Sequence, residues 1–360
     1  MRCFGLMIKI VKYMLVFLAF TGVFLSVQRI LIPKYMSDVF DGALIGEYYP
    51  EPKNHSVVFI GDCEVYQNFS PHELFAEYGI TSYIRGGASQ TVWQSYWLLE
   101  DTLKYEKPDV VVLSVLGMGK SEPVSEPYNR LNIDGMRLSF AKFGAAKSSA
   151  VDGESLLSYA FPIFRYHDRW KELSSEDFKY FFKAANVGLN GYLMRSETVP
   201  VTVFPPGKRL KNYTFADVCW DYLDRIRELC EKNDIELILI KSPAIWPYWH
   251  EQWETQISDY AERHSLLYFN LLNMQEQTGI DYDVDTANAG LHMNVSGAEK
   301  LSRWLGGELT ARFTLRDYRN VPAVAAVWER KMRDYDALKT IQRREFEENG
   351  KISTIIYTKS

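Results

Sequence analysis

Cys63 and His292 are the residues whose types and settings could do chemistry. Cys63 stands in Gly61-Asp62-Cys63-Glu64, directly after a largely apolar run at residues 55–60. A strand ending on glycine can turn sharply, project the next side chain into a crevice and leave N–H groups for a developing oxyanion. Near a helix N-terminus the dipole would favour thiolate. A small thiol buried at a tight turn fits the same residues. His292 lies in Gly290-Leu-His-Met-Asn294, just before Ser296-Gly-Ala-Glu299, which fits a capping box. A loop histidine at a helix entry can take a proton from a thiol and later return it to a leaving group. His55, His72, His167, His250 and His264 have no comparable context.

Two acids and one base are candidates to assist this pair. Asp285 is the nearest acid to His292 and orients it only if the loop folds back. Glu64 and Arg85 flank the proposed site, where they either orient a polar acceptor or pair with each other at the surface. Asp281-x-Asp283-x-Asp285 looks like the start of a calcium loop, but its sixth position is Thr286 and its twelfth is His292. Those positions call for Gly and Glu, so we expect a solvated acidic turn, no metal site and no cofactor. Cys219 and Cys230 share one face of a helical pattern with Leu223 and Ile226. They would sit about 16 Å apart along the axis, too far to bridge, and read as buried apolar thiols.

The elements that must position these groups alternate along the chain. Strand-like runs cover residues 55–60, 81–85, 109–115, 235–241 and 266–269, with helical spacing at 90–105, 216–232, 249–264 and 296–305. Such alternation predicts an α/β fold with a doubly wound, mostly parallel five-stranded sheet. Ligands bind beyond the carboxyl ends of such strands. The loops starting at Gly61, Gly86, Gly117 and Ser242, and the loop leading to His292, should therefore crowd together. Residues 117–215 interrupt the pattern and are rich in aromatics, among them Tyr159, Phe161, Phe164, Trp170, Phe178, Tyr180 and Phe182. We read them as a partly helical insertion over the strand ends, either packing on itself or forming a lid or acceptor surface. Residues 316–360 form a C-terminal arm with an apolar stripe of Trp328, Met332, Tyr335 and Leu338. It either packs on its own domain or presents a partner surface.

Composition narrows the function classes. The 360 residues carry 41 Lys+Arg against 46 Asp+Glu, a net charge of −5, and 47% are apolar. That much apolar surface argues against a disordered chain, and the lack of any basic block argues against nucleic-acid binding. Residues 13–27 carry no charge, and residues 13–32 match the roughly 20 needed to cross a bilayer as a helix. Arg2, Lys9 and Lys12 precede them without an acid, which keeps the N-terminus, with Cys3, in the cytoplasm and residues 33–360 outside. A cleaved signal peptide is the alternative, but no small-x-small site follows, so we expect a single-pass anchor in the cell membrane. The expected organisation is a cytoplasmic stub and anchor at 1–32, a stalk at 33–54, the α/β domain at 55–315 and the arm at 316–360.

These residues also carry a resemblance. VVFIGDCEVYQNFSP resembles the first block of SGNH/GDSL-type hydrolases, with Cys63 where the family usually has its nucleophilic Ser. IRGGASQ resembles the second block, whose Gly donates a backbone N–H to the oxyanion; Gly86 is the matching position. LHMNVSGAEKL resembles the last block and places the catalytic His at His292. The correspondence runs from about residue 57 to residue 305, apart from the insertion. With its N-terminal anchor, the chain is similar to the membrane-tethered branch that includes the D-alanyl-lipoteichoic acid transfer protein and alginate O-acetyltransferase-type proteins.

The resemblance implies a flavodoxin-like sheet and an oxyanion hole built from the N–H groups of Cys63 and Gly86. It also implies an acyltransferase or esterase acting on O-acyl groups of a cell-envelope polysaccharide or teichoic-acid-like acceptor, beside a membrane-bound O-acyltransferase. Three positions depart from the pattern. The nucleophile is Cys. The third block, normally Gly-x-Asn-Asp, reads Gly117-Met-Gly-Lys120 and lacks the Asn donor, a loss worth ~10²–10³ in turnover. The Asp usually found three residues before the His is Ala289, with Asn288 beside it. The alternative is therefore a non-catalytic envelope protein of this fold that binds a glycan or a membrane acyltransferase partner.

Overall fold

A computed structural model describes residues 2–33, 41–179, 181 and 188–355. Among them, five parallel strands form one sheet: β1 (Val57–Gly61), β2 (Ser82–Gly86), β3 (Val110–Ser114), β4 (Glu236–Lys241) and β5 (Leu267–Asn270). Their spatial order is β2-β1-β3-β4-β5, the doubly wound topology expected from the alternating pattern. Strands covered on both faces need no polar alternation, which is why Val57–Ile60 and Val110–Leu113 read as unbroken apolar runs. Successive side chains still divide between two cores. Val57, Phe59, Val110, Val112, Ile238 and Ile240 face one side, with the helices Pro71–Tyr78 and Val295–Arg312. Val58, Ile60, Val111, Leu113, Leu237 and Leu239 face the other, with Val92–Thr102, Asp217–Lys232 and Glu251–Arg263.

The Asp217–Lys232 helix buries Cys219, Leu223, Ile226 and Cys230, the stripe read from its spacing. Burial pushes the Cys219 thiol up to about 11 and the Cys230 thiol up to about 12, so both are unreactive at neutral pH. One cap differs from expectation. The Val295–Arg312 helix starts two residues earlier than a Ser296 cap requires, and Asn294 caps it by accepting from Gly297 N at 3.2 Å. Ser296 Oγ donates instead to Asp285.

The flanking segments are more tightly docked than their composition suggests. Within the region read as stalk, residues 34–40 lie outside the described residues, as do Tyr180, Phe182 and the side chain of Cys3. The Asp41–Glu47 helix packs on Glu126–Ile133, and Leu44, Ile45 and Tyr48 are buried. The insertion has its own small core, in which Ile45 and Leu98 join Ile133, Met136, Ala141, Ala145 and Tyr159. The arm, a helix at Pro322–Asn349, lies on its own domain: Trp328 stacks on Phe75, and Tyr335 stacks on His72 and donates to Glu299. Arg2–Leu31 is one helix, long and apolar enough over Leu6–Leu31 to cross a membrane.

Candidate functional site

Cys63 follows β1, next to β3, where the strand order reverses, the position at which sheets of this kind bind ligands. The sharp turn depends on Gly61. Its φ of 151° and the 2.6 Å that would separate a Cβ from Ser114 Cβ leave no room for another residue. Gly86, its partner in β2, is confined in the same way: a Cβ there would lie 2.8 Å from Gly61 O. Asp62 is the N-cap of Cys63–Tyr66, its Oδ1 accepting from Glu64 N at 3.1 Å and from Ser114 Oγ at 3.4 Å. The helix is a single turn, so its dipole does little for the thiol. Cys63 is partly exposed, in no disulfide, and packs against the core that contains Val65, Phe69 and Met293.

The His292 loop is tied to the same region by backbone bonds. Thr286 and Met293 bridge to close the loop, and Met293 N donates at 2.8 Å to Asn68 Oδ1, five residues beyond Cys63. Asn68 Nδ2 in turn donates to Ser242 Oγ at the end of β4. The end of the insertion threads between the two halves. Leu193 N donates to Tyr66 O, Val295 N to Arg195 O and Val199 N to Thr286 O. The carboxyl ends of β1 and β4 and the His292 loop thus converge, as expected of this topology.

The ring of His292 has a different partner from the one expected. Asn288 Oδ1 accepts from His292 N at 2.8 Å, which fixes the orientation of the amide and turns its NH₂ toward the ring. Asn288 Nδ2 lies 2.9 Å from Nδ1, so Nδ1 must accept and the proton of the neutral ring must sit on Nε2. Nε2 is buried and has no hydrogen-bond partner among the described residues, Cys63 Sγ included. Burial, reinforced by the nearby Arg195 charge, pushes the imidazole down to about 4, so it is neutral at pH 7.

Asp285 does not orient His292. Its Oδ1 accepts from Ser296 Oγ at 2.8 Å, and its Oδ2 accepts from Asp281 N at 2.8 Å and Lys300 Nζ at 2.6 Å. It ties the acidic turn to the first turns of the Val295–Arg312 helix, where a carboxylate complements the dipole. Glu64 and Arg85 are both buried and do not pair with each other at a surface. Glu64 Oε1 accepts from Lys241 Nζ at 2.5 Å and Oε2 from Ser242 N at 3.2 Å. Burial raises this carboxyl to about 7, while Lys241 pulls it back down. Lys241 Nζ also donates to Ser242 O and Ala244 O. Arg85 stacks over the Tyr48 ring and donates to Asp101 Oδ2 at 2.9 Å.

The segment Gly117-Met-Gly-Lys120, which follows β3 and includes the 3₁₀ turn Leu116–Gly119, offers no side-chain amide. Asn132 from the insertion reaches the neighbouring loop instead. Its Nδ2 donates to Ala88 O and Tyr128 O, so its buried Oδ1, an acceptor, faces Gly87. Lys241, Asn68 and Asn132 carry no motif that marks them in the sequence, and Asn288 is noted there only as the neighbour of Ala289. Only Asn288 left a signal, as an amide four residues before a histidine in a tight turn. A cavity of about 320 Å³ opens at the carboxyl ends of β4 and β5, lined by Phe204, Ile245, Tyr248, Trp249, Glu254 and Asn270. Ile245 N donates to Gly290 O at 2.8 Å, so the cavity adjoins the His292 loop.

No family model matches the chain, and no curated protein matches it. Among solved structures it is similar to an acylhydrolase candidate from Bacteroides fragilis, at 12% identity and a TM-score of 0.36, covering 74% of this chain and 94% of that one. It is also similar to a GDSL-like lipase from Bacteroides thetaiotaomicron, at 12% identity and a TM-score of 0.36, covering 76% of this chain and 100% of that one.

Proposed function

We propose that the chain is a membrane-anchored, extracytoplasmic SGNH-like acyltransferase or esterase that acts on O-acyl groups of a cell-envelope glycan. Cys63 is its nucleophile and His292 its acid/base. One observation supports the reading: Met293 N, next to His292, donates to Asn68 Oδ1, five residues after Cys63 at the turn that follows β1. The Leu6–Leu31 helix supports the anchoring, with Lys9 and Lys12 marking the cytoplasmic side. The acceptor is a polysaccharide or teichoic-acid-like polymer, and a membrane-bound O-acyltransferase supplies the acyl group.

In this mechanism the resting ring, protonated on Nε2, first exchanges tautomer through solvent as the Asn288 amide turns away. Nε2 then takes the thiol proton while sulfur forms a bond to the acyl carbonyl carbon. The oxyanion collects the N–H groups of Cys63 and Gly86. As the ester C–O bond breaks, the alcohol leaves with the proton from Nε2. The acceptor hydroxyl, or water, then attacks the thioester, passes its proton to Nε2, and the departing sulfur takes that proton back. Asp285 acts as a positioning residue by fixing the start of the helix that follows the His292 loop.

Cys63→Ala and His292→Ala should each abolish glycan acylation and hydrolysis of a chromogenic acetate ester while leaving the melting temperature within a few degrees. Normal turnover by both variants removes the catalytic claim. A non-catalytic, glycan-binding protein is the second reading, favoured by the unpartnered Nε2 and its proton. An activated acyl ester separates the two: fast labelling of Cys63 that depends on His292 supports the enzyme, and inertness supports the binder.

A further inference from the structure

We infer that the middle of the insertion is a membrane foot: residues 157–179 and 181 sit in the outer leaflet beside the anchor, with their exposed aromatic rings in lipid. Three short elements, Ile163–Tyr166, His167–Lys171 and Ser175–Lys179, pack against the Arg2–Leu31 helix. They cover one stripe of it, in which Thr21, Phe24 and Gln28 are half-buried and Leu31 is buried, while Val23 and Leu25 stay exposed on the other side. Phe161 meets Phe24 edge-on at 6.2 Å, Arg169 donates to Leu31 O at 2.7 Å, and Arg29 donates to Phe181 O.

The depth follows from helix geometry. Lys9 and Lys12 mark the inner boundary, so a span of about 20 residues runs from Tyr13 to Ile32. The covered stripe from Thr21 to Leu31 spans ten helical steps, ~15 Å of rise, which is half of a ~30 Å hydrocarbon core. Whatever packs on that stripe stands at outer-leaflet depth. The same elements expose Phe164 (60%), Trp170 (63%) and Phe178 (57%), rings that a soluble surface would rarely group together. Lys171 Nζ lies 5.5 Å from the Trp170 ring, a Trp-Lys pair suited to the boundary between acyl chains and headgroups. The foot is braced to the site through Glu126–Ile133: Tyr166 OH donates to Asp134, the cap of that helix, Arg130 donates to Ser158 O, and Asn132 of the same helix reaches Ala88 O beside Gly86. This geometry holds the crevice at a set height above the bilayer.

The inference rests on the anchoring in the reading above but not on the chemistry of Cys63. The full chain, reconstituted in phosphatidylcholine vesicles with or without brominated acyl chains, tests it. The chain has nine tryptophans, none of them in residues 1–32, so Trp170 supplies roughly one ninth of the emission. Brominated lipid should quench the wild type by about that share, and Trp170→Phe should lose the quenching. Phe164→Trp in the Trp170→Phe background should restore it, which also guards against a folding defect in the first variant. Equal or absent quenching in all three proteins, in vesicles that carry the chain on flotation, overturns the foot and leaves the aromatic face to a protein partner. A chain that fails to float overturns the anchoring and the foot together.

Discussion

Replacing the Asn288 amide with a carboxylate should reverse the choice of which nitrogen of His292 carries the proton. In Asn288→Asp one oxygen still accepts from His292 N, as Oδ1 does now at 2.8 Å. The atom 2.9 Å from Nδ1 becomes an acceptor, so the ring gains by moving its proton to Nδ1 and exposing the Nε2 lone pair. A hydrogen bond to a charged group is worth about 1.5–3 kcal/mol, or about 10- to 150-fold at 1.36 kcal/mol per decade. Asn288 is exposed, so screening places the gain near the low end, about tenfold. The carboxylate also raises the His292 pKa from about 4, because it favours the imidazolium that forms when the thiol gives up its proton. The assay is the alkylation rate of Cys63 by iodoacetamide between pH 5 and 8, beside burst hydrolysis of a chromogenic acetate ester, in a Cys3→Ser background. Cys219 and Cys230 are too deeply buried to compete. Asn288→Asp should speed both reactions about tenfold at pH 7, with the alkylation profile moved to lower pH. A folded variant with wild-type or slower rates would refute the assignment of His292 as the base.

Two further predictions concern stability. Lys241→Met leaves the Glu64 carboxylate buried without its partner, which should cost about 3–5 kcal/mol in urea unfolding at pH 8. Glu64→Gln combined with Lys241→Met should recover most of that loss, and additive effects would argue against the pair as a unit. His72 is buried between Tyr335 and Trp328, and burial holds it down to about 3, against 6.5 in its unfolded reference. The unfolded chain therefore binds a proton that the folded chain refuses, and stability is lost as pH falls below 6.5. Relative to His72→Phe, the wild type should lose about 2.5 kcal/mol between pH 7 and pH 4.5 in urea titrations. A difference that stays constant with pH would show that His72 is not held neutral.

The fold was legible where the chain has a strong local reason for its shape. Unbroken runs such as Val110–Leu113 ending at tight turns predict buried parallel strands, because apolar β-branched residues satisfy a sheet covered on both faces. The stripe Cys219, Leu223, Ile226, Cys230 predicts its helix face equally well. Charged residues were harder to read. Glu64 and Arg85 look like surface groups because isolated charges prefer water, yet each is buried against a partner on another element: Lys241, 177 residues away from Glu64, and Asp101, 16 residues away from Arg85. Nothing local encodes such a pairing.

By itself, then, the sequence determined where the strands lie along the chain, the thiol at the first turn, the histidine at the last loop and an apolar helix at the N-terminus, since these depend on periodicity and on residue chemistry over a few positions. Only the tertiary structure decided that Asn288 rather than Asp285 addresses His292, and that the arm lies on its own domain. It also packed the insertion against the N-terminal helix. Each of these is a choice among partners distant or equally near in sequence, and it is made by whichever arrangement leaves the fewest buried polar groups unpaired.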